Sequence, residues 1–444
     1  MSEARKREAI ENLERRQFLQ RASLAAGAGT MGAGVLLGST AVRAAHVSGN
    51  ETLKVGLVGC GGRGTGAAVQ ALKADRGVEL VAMGDLFPDK LQASLKRLQA
   101  SPVASRVKVD SDHQFTGFDA YEGVIGSGVD VVLLASPPHF RPAHIEACIA
   151  AGKHVFAEKP IAVDAPGVRK VLDVCAAARK KNLSVVSGLC WRYHFGARAA
   201  MERVHDGTIG DIVAVETTYN ASRPGKPWPM VRKKEWSDLE FHIRNWYWLT
   251  WLSGDHIVEQ AIHSLDKGAW VFHDEPPAAA IGLGGLQTRL DQPRGQIFDH
   301  HAVLFEFADG RRHFHYCRQM PGCFNQVATH VLGAKGTCGV ERTGCRDMQG
   351  KSTWRYKGPK NVMHQTEHDE MYAALRAGKP INNGEYMCRS TMLAILGRMA
   401  TYTGRRVTWE EALASTHRLG PSNYDWGQAL PIPPVAVPGI TEEA

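Results

Sequence analysis

The stretch Leu53–Asp85, LKVGLVGCGGRGTGAAVQALKADRGVELVAMGD, constrains this chain more than any other. An apolar, β-branched run (Val55, Leu57, Val58) stops at Gly59-Cys60-Gly61-Gly62-Arg63-Gly64. A helix-like segment follows through Ala67, Ala68, Val69, Ala71 and Leu72, and a second strand, Val78–Met83, ends at Asp85. In this spacing Gly59 allows a tight turn out of the strand, and Gly61 lets a pyrophosphate approach the backbone. Gly64 lets the helix pack close to the sheet, with its N-terminus toward the anion. Asp85, about 20 residues on, is placed to accept hydrogen bonds from an adenosine ribose. A glycine triplet alone says little in a chain with 46 glycines. Strand, helix, second strand and acid in register point to a dinucleotide. The residues after Asp85 (Leu86, Phe87, Pro88) offer no arginine for a 2′-phosphate, so NAD is expected rather than NADP.

The βα alternation continues. A helix is expected from Pro88 to Leu98 and a short strand over Arg106–Val109. Val129–Ala135 is a continuous apolar run, as in a strand covered on both faces. It breaks at Ser136-Pro137-Pro138-His139. Ala143–Ala151 reads as a helix, His154–Ala157 as a strand, Asp164–Lys181 as a helix and Leu183–Gly188 as the last strand. This is the doubly wound pattern, whose ligand lies at the carboxyl ends of the strands. Asp85, Pro137, His139, Glu158 and the Leu189–His194 stretch with Arg192 fall at such ends.

After about residue 210 the period changes to strand-like alternation. Candidates are Asp211–Asn220, Ala279–Leu286, His301–Phe307, Arg311–Cys317, Gln326–Leu332 and Thr337–Glu341. Helices are expected over Asp255–Val271 and twice within Gln365–Thr403. The fold expected is therefore α/β: a Rossmann dinucleotide-binding domain over 51–190, then an α+β domain over 191–420 with a large, open, mainly antiparallel sheet. A proline-rich tail, 421–444, is expected to run extended along the surface or into a partner subunit.

At 444 residues and a formal charge of +8, with lysine and arginine scattered, the chain lacks the clustered basic stripe of a nucleic-acid binder. Arg15-Arg16 precede an uncharged, Ala/Gly-rich stretch, Ala22–Val42. This marks residues 1–50 as a twin-arginine export signal and linker, with a periplasmic or extracellular destination. Its glycines make a poor membrane span. Nine cysteines form no C-x-x-C pair. One disulfide among Cys317, Cys323, Cys338 and Cys345 suits an oxidising compartment, with connectivity open.

Three features carry chemistry. In Glu158-Lys159-Pro160, Lys159 is placed to face the nicotinamide and stabilise a developing alkoxide, and Glu158 to bond the nicotinamide ribose. In Gly254–Asp266, the helical spacing of Asp255, Glu259, His263 and Asp266 suggests a carboxylate-oriented imidazole for proton transfer. A zincin-type H-E-x-x-H is absent, and no metal is expected. Aromatic density at Trp191, Tyr193, Trp228, Trp236, Trp246, Tyr247, Trp248 and Trp251 suits a groove for sugar faces. Within it Arg192, Tyr193, Trp246, Lys159 and His263 are the expected substrate contacts. Gly59, Gly61, Gly62, Arg63, Gly64, Asp85, Pro137, His139, Glu158, Lys159 and Arg192 are the expected cofactor contacts.

The glycine loop, His144–Pro160 (HIEACIAAGKHVFAEKP) and the Glu259/His263 segment together resemble the Gfo/Idh/MocA oxidoreductases over roughly Leu53–Leu413. The resemblance implies Lys159 and His263 as catalytic residues, with Glu259 standing where the family often has Asp. It also implies oligomerisation through the open sheet, as a dimer or tetramer, and, as in exported members, a tightly held cofactor. The expected activity is oxidation of a sugar, polyol or glycoside hydroxyl. The alternatives are a glycosidase working by transient oxidation and elimination, from which Lys159 argues away, and a silent dinucleotide-binding sensor.

Overall fold

The computed structural model describes residues 51–222, 231–288 and 295–443. Residues 1–50, expected from the sequence to be an export signal and linker, and Trp228 lie outside the described residues. Six parallel strands form the first sheet: β1 (Leu53–Val58), β2 (Val78–Asp85), β3 (Gln114–Thr116), β4 (Val131–Leu134), β5 (His154–Ala157) and β6 (Val185–Ser187). Their order, β3-β2-β1-β4-β5-β6, reverses direction between β1 and β4, which pair through Val55 and Val131. A doubly wound sheet opens its crevice at that reversal. Every residue of β4 is buried, as an apolar strand covered by helices on both faces requires. Leu53, Val55 and Leu57 pack with Ala67, Ala68 and Ala71 of the helix Gly62–Ala74 on one side. Leu134 packs with Ile145 and Val168 on the other.

The strand expected over Arg106–Val109 does not form. Val107 makes one isolated bridge to Leu80, and the edge strand is Gln114–Thr116 instead. Asp110 accepts hydrogen bonds from the amides of Asp112 and His113, turning the chain before a ladder can extend.

The second sheet contains β7 (Ile212–Ala221), β8 (Ala279–Gly285), β9 (His300–Glu306), β10 (Arg312–Gln319), β11 (Gln326–Gly333), β12 (Gly336–Gly339), β13 (Gly344–Asp347), β14 (Ser352–Arg355) and β15 (Val407–Thr408). Their order is β14-β13-β12-β11-β7-β10-β9-β8-β15, with β7 and β10 parallel and all other neighbours antiparallel. The helix Gly384–Thr403 covers one face, where Val303 and Phe305 are buried with its Met392 and Leu396. On the other face Ile281, Leu283, Tyr316 and Leu332 stay exposed. The helix Met363–Arg376 returns to the first sheet and buries Met371, Tyr372 and Leu375 against Leu53 and Leu72. Cys338 and Cys345 face each other across β12 and β13 with sulfurs 2.8 Å apart.

The helix expected over Asp255–Val271 is broken in two, His256–Glu259 and Ile262–Val271. In a continuous helix the carbonyl of Glu259 would accept from the amide of His263. Here it accepts from Lys159 Nζ, and the His263 amide turns to the carbonyl of Gln260 at 3.3 Å. A lysine from the first sheet thus takes the acceptor on which helix continuity depends.

Candidate active site

A cavity of about 340 Å³ lies where the strand order reverses, lined by Gly59, Gly61, Gly62, Arg63, Gly64, Asp85 and Pro137. Gly59 has φ +95°, and a Cβ there would meet the Ser136 amide nitrogen at 2.4 Å. A Cβ at Gly64 would meet the Gly59 carbonyl oxygen at 1.9 Å. These two glycines let loop, helix and β4 approach. Gly61 and Gly62 differ: an added Cβ meets nothing within 4 Å, so the backbone at the helix N-terminus is open to a ligand. The Asp85 carboxylate sits at the end of β2, held by the amides of Cys60 (2.6 Å) and Phe87 (2.9 Å). An open anion-binding loop beside a fixed carboxylate fits the pyrophosphate and ribose of NAD.

The far wall comes from residues whose role the sequence pattern did not reveal. Phe87, Phe118 and Phe140 line it with Ile243, Arg244 and Trp246 of the second half of the chain. The Arg244 guanidinium lies 3.8 Å from the Phe87 ring centroid and pairs with Asp89 (3.0 Å) and Glu240 (2.8 Å). Trp246, expected against substrate, instead shares this cavity with the glycine loop.

Lys159, at the end of β5, is buried and donates to Glu259 Oε1 at 3.0 Å as well as to the Glu259 carbonyl. Glu158 pairs with Arg63 Nε at 2.8 Å, tying β5 to the glycine loop. His263 follows directly after the helix break. Burial, then the Lys159 and Lys267 charges and His364, hold its ring well below the ordinary histidine value. Its Nδ1 is buried with no hydrogen-bond partner. The carboxylate expected beside His263 goes elsewhere: Glu259 pairs with Lys159, and burial first, then the neighbouring cations, disfavours the protonated ring of His263.

Other expectations separate in the same way. Arg192 is spent between Asp266 (2.9 Å) and Asp274, with its guanidinium over Trp270 and Tyr386. Expected at the cofactor and substrate, its guanidinium is held here by two carboxylates and two rings. Tyr193 is buried and donates to Asn383 Oδ1 at 3.0 Å, inside the core rather than at a sugar face. His139 does not line the cavity; its Nε2 meets the Tyr424 hydroxyl at 2.8 Å. Asp266, fully buried, bonds Arg192 and Ser390 and takes no part with His263.

Asp255 stands at φ +80° in a different setting. Its Oδ1 is 2.9 Å from His256 Nδ1 and 3.2 Å from His301 Nε2. Its Oδ2 accepts from the Phe298 amide (2.9 Å) and the Tyr402 hydroxyl (2.5 Å). Asp255, His256 and His301 form a potential metal-ligand group; Asp255 and both nitrogens of His301 are bonded, and His256 Nδ1 meets the Phe298 carbonyl, while His256 Nε2 is buried with no hydrogen-bond partner among the described residues. Burial opposes ionisation, but His301 and His256 hold the Asp255 carboxyl well below its usual range. His364, on the helix Met363–Arg376, was not singled out from the sequence. Its ring is lowered by burial and by the Arg63 charge, against Glu158, with Lys159 adding to the lowering.

The comparisons with known proteins agree with this geometry. Residues 53–188 match the model of an oxidoreductase family described as an NAD-binding Rossmann fold, GFO_IDH_MocA, and residues 197–338 match the C-terminal domain of that family. The chain belongs to the Gfo/Idh/MocA oxidoreductase family. An uncharacterized oxidoreductase of Streptococcus pneumoniae is 27% identical over 74% of this chain and 81% of its own length. An inositol 2-dehydrogenase of Klebsiella pneumoniae (strain 342) is 31% identical over 56% of this chain and 64% of its own length. Among solved structures, scyllo-inositol dehydrogenase from Lactobacillus casei with NAD(H) and scyllo-inositol bound superposes with a TM-score of 0.61. It is 19% identical, covering 81% of this chain and 100% of that one. Aldose-aldose oxidoreductase from Caulobacter crescentus gives a TM-score of 0.60 at 20% identity, with 81% and 100% covered. At such identities these two support the fold alone. The protein is an NAD-binding oxidoreductase of this family, built as the Rossmann and mainly antiparallel pair of sheets that the sequence led us to expect. No described helix is long and apolar enough to cross a membrane.

Proposed function

We propose that this protein is an exported dehydrogenase that oxidises a secondary hydroxyl of a cyclic polyol or sugar at the crevice of Lys159 and His263. The observation that carries this reading is the His263 Nδ1, buried with no hydrogen-bond partner among the described residues, in a ring whose protonation is opposed by burial and then by the charge of the buried Lys159. Bound NAD supplies the hydride acceptor. His263 takes the hydroxyl proton, for which a neutral ring is required. The Lys159 ammonium has three donors and gives two to Glu259, leaving one for the substrate oxygen as negative charge develops on it. Glu259 thereby aims the lysine. Arg63 and Glu158 fix the glycine loop against β5, so cofactor and lysine are held in one frame.

The resemblance of the chain to inositol dehydrogenases supports a polyol, and the paired arginines Arg15 and Arg16 support twin-arginine export to the periplasm or beyond. A protein exported folded and loaded is expected to retain NAD through purification. The exposed apolar face of the second sheet suits a second copy of the chain. The test is to mix NAD-loaded protein with inositols, aldoses and aryl glycosides, following reduced nicotinamide and free aglycone together. Reduction of NAD by at least one polyol or sugar is expected. Aglycone release without net reduction, or no reaction with any of them, would overturn the dehydrogenase reading.

A further inference from the structure

We propose that the C-terminal segment Leu419–Ile432 is a strap that braces the adenosine end of the cofactor site and sets how slowly NAD leaves. This rests on the NAD reading above and extends it to residues outside both family-matched regions. The segment contains neither helix nor strand, yet it is anchored at both ends. The Leu419 amide donates to Asp164 Oδ2 at 3.0 Å, and the Leu430 amide to Asp238 Oδ2 at 2.8 Å. Asp164 caps the helix Ala165–Lys180 of the first sheet's layer, and Asp238 opens the short helix that carries Arg244. The strap therefore joins the two halves of the chain that face each other across the cavity. At Gly420, with φ +97°, it passes so close to Trp251 that a Cβ would lie 2.7 Å from the ring.

Between the anchors its aromatic residues lie behind the cavity wall. Tyr424 stacks on Phe118 (centroids 4.8 Å apart, planes 13° apart), and its hydroxyl meets His139 Nε2 at 2.8 Å. Trp426 packs on Phe118 at 5.1 Å and on Phe87 at 6.4 Å. Leu419, Leu430 and Ile432 join Phe87, Ile243 and Trp251 in one apolar cluster. Phe87, Phe118 and Ile243 line the cavity beside Asp85, where the adenosine ribose would bind. Burial draws His139 down to about 4, so it stays neutral and its bond to Tyr424 persists across the neutral range. For the adenosine half to leave, this wall must open, and opening it strips Phe87 and Phe118 of their packing against the strap. Tyr424 and Trp426 are positioning residues that act through Phe118 and Phe87. Both remain about two-fifths exposed, at 39% and 42%, so their removal leaves the deep core intact.

The experiment compares the full chain with the double variant Tyr424→Ala/Trp426→Ala and a chain ending at Gly420. Each is loaded with NAD and chased with excess fluorescent etheno-NAD to read the release rate, with kcat measured at saturating NAD. Release about tenfold faster or more in the double variant, with kcat within about twofold of the unaltered enzyme, is the expected result. Tyr424→Phe, which keeps the stacked ring, should release NAD nearly as slowly as the full chain. If the shortened chain fails to fold, the double variant carries the test. An unchanged release rate in the double variant, whether or not its melting temperature falls, overturns the strap. Failure of the unaltered chain to bind NAD would overturn the cofactor reading itself.

Discussion

His256 and His263 sit in the same short segment, one on each side of its helix break, and the fold puts them to opposite uses. His256 is fully buried beside an ionised Asp255, with His301 and Tyr402 closing the group. Although burial opposes it, Cys317 and Asp255 raise His256 to about 10. Among the described residues no carboxylate shifts His263; burial, then Lys159, Lys267 and His364, lower it well below the ordinary histidine value. An imidazole with a buried carboxylate becomes structure, because separating the pair would strand a charge in the core. An imidazole without such a carboxylate keeps a ring nitrogen open to take a proton from a substrate. The difference lies in which partner the tertiary fold delivers.

The largest effect expected on the structural side is at Asp255. Asp255→Ala leaves two buried histidines and a tyrosine without their common acceptor and should cost about 3–5 kcal/mol of stability. Denaturant unfolding would read this, with turnover per folded, NAD-bound molecule little changed. A loss of turnover at unchanged stability would erase the contrast between the two ends.

On the reactive side, Lys159→Ala should lower kcat by about 10²–10³-fold, the range for losing one donor to a developing oxyanion. Its pH profile sharpens the comparison. Since His263 titrates well below the ordinary histidine value, the acidic limb of kcat should lie below pH 6.5, about where a free histidine titrates. Removing the Lys159 charge should move that limb upward, because one of the cations opposing protonation is gone. A limb that stays in place would mean that the lysine does not act on the imidazole. A smaller loss is expected from Glu259→Gln, which still offers an oxygen to Lys159 and leaves the backbone carbonyl in place.

Much of the nucleotide half was legible in the sequence because its signals are local. Gly59 and Gly64 answer to contacts within a few residues or with the adjacent strand, and alternation of strand and helix sets the layer order. The site in the second half was only partly legible. Helical spacing put Glu259 and His263 on one face, but that inference assumes an unbroken hydrogen-bond ladder, and Lys159 breaks it from far away in sequence. Arg192 looked available because its neighbours in sequence are neutral, whereas Asp266 and Asp274 arrive through the fold. The adenosine wall of Phe87, Phe118 and Arg244 has no motif, since it assembles from three distant segments. Strands β13, β14 and β15 were too short to show alternation.

The measurement that bears most directly on the account is a crossed pair of substitutions, His263→Ala and His256→Ala. For each, single-turnover reduction of bound NAD by a reactive polyol is followed with melting temperature and NAD content. The account predicts that His263→Ala reduces NAD about 10²–10⁴-fold more slowly at nearly unchanged melting temperature and NAD content. It predicts that His256→Ala melts earlier yet keeps most of its rate per folded molecule. Near-normal reduction in His263→Ala, or a rate in His256→Ala that falls as far at unchanged stability, would contradict it.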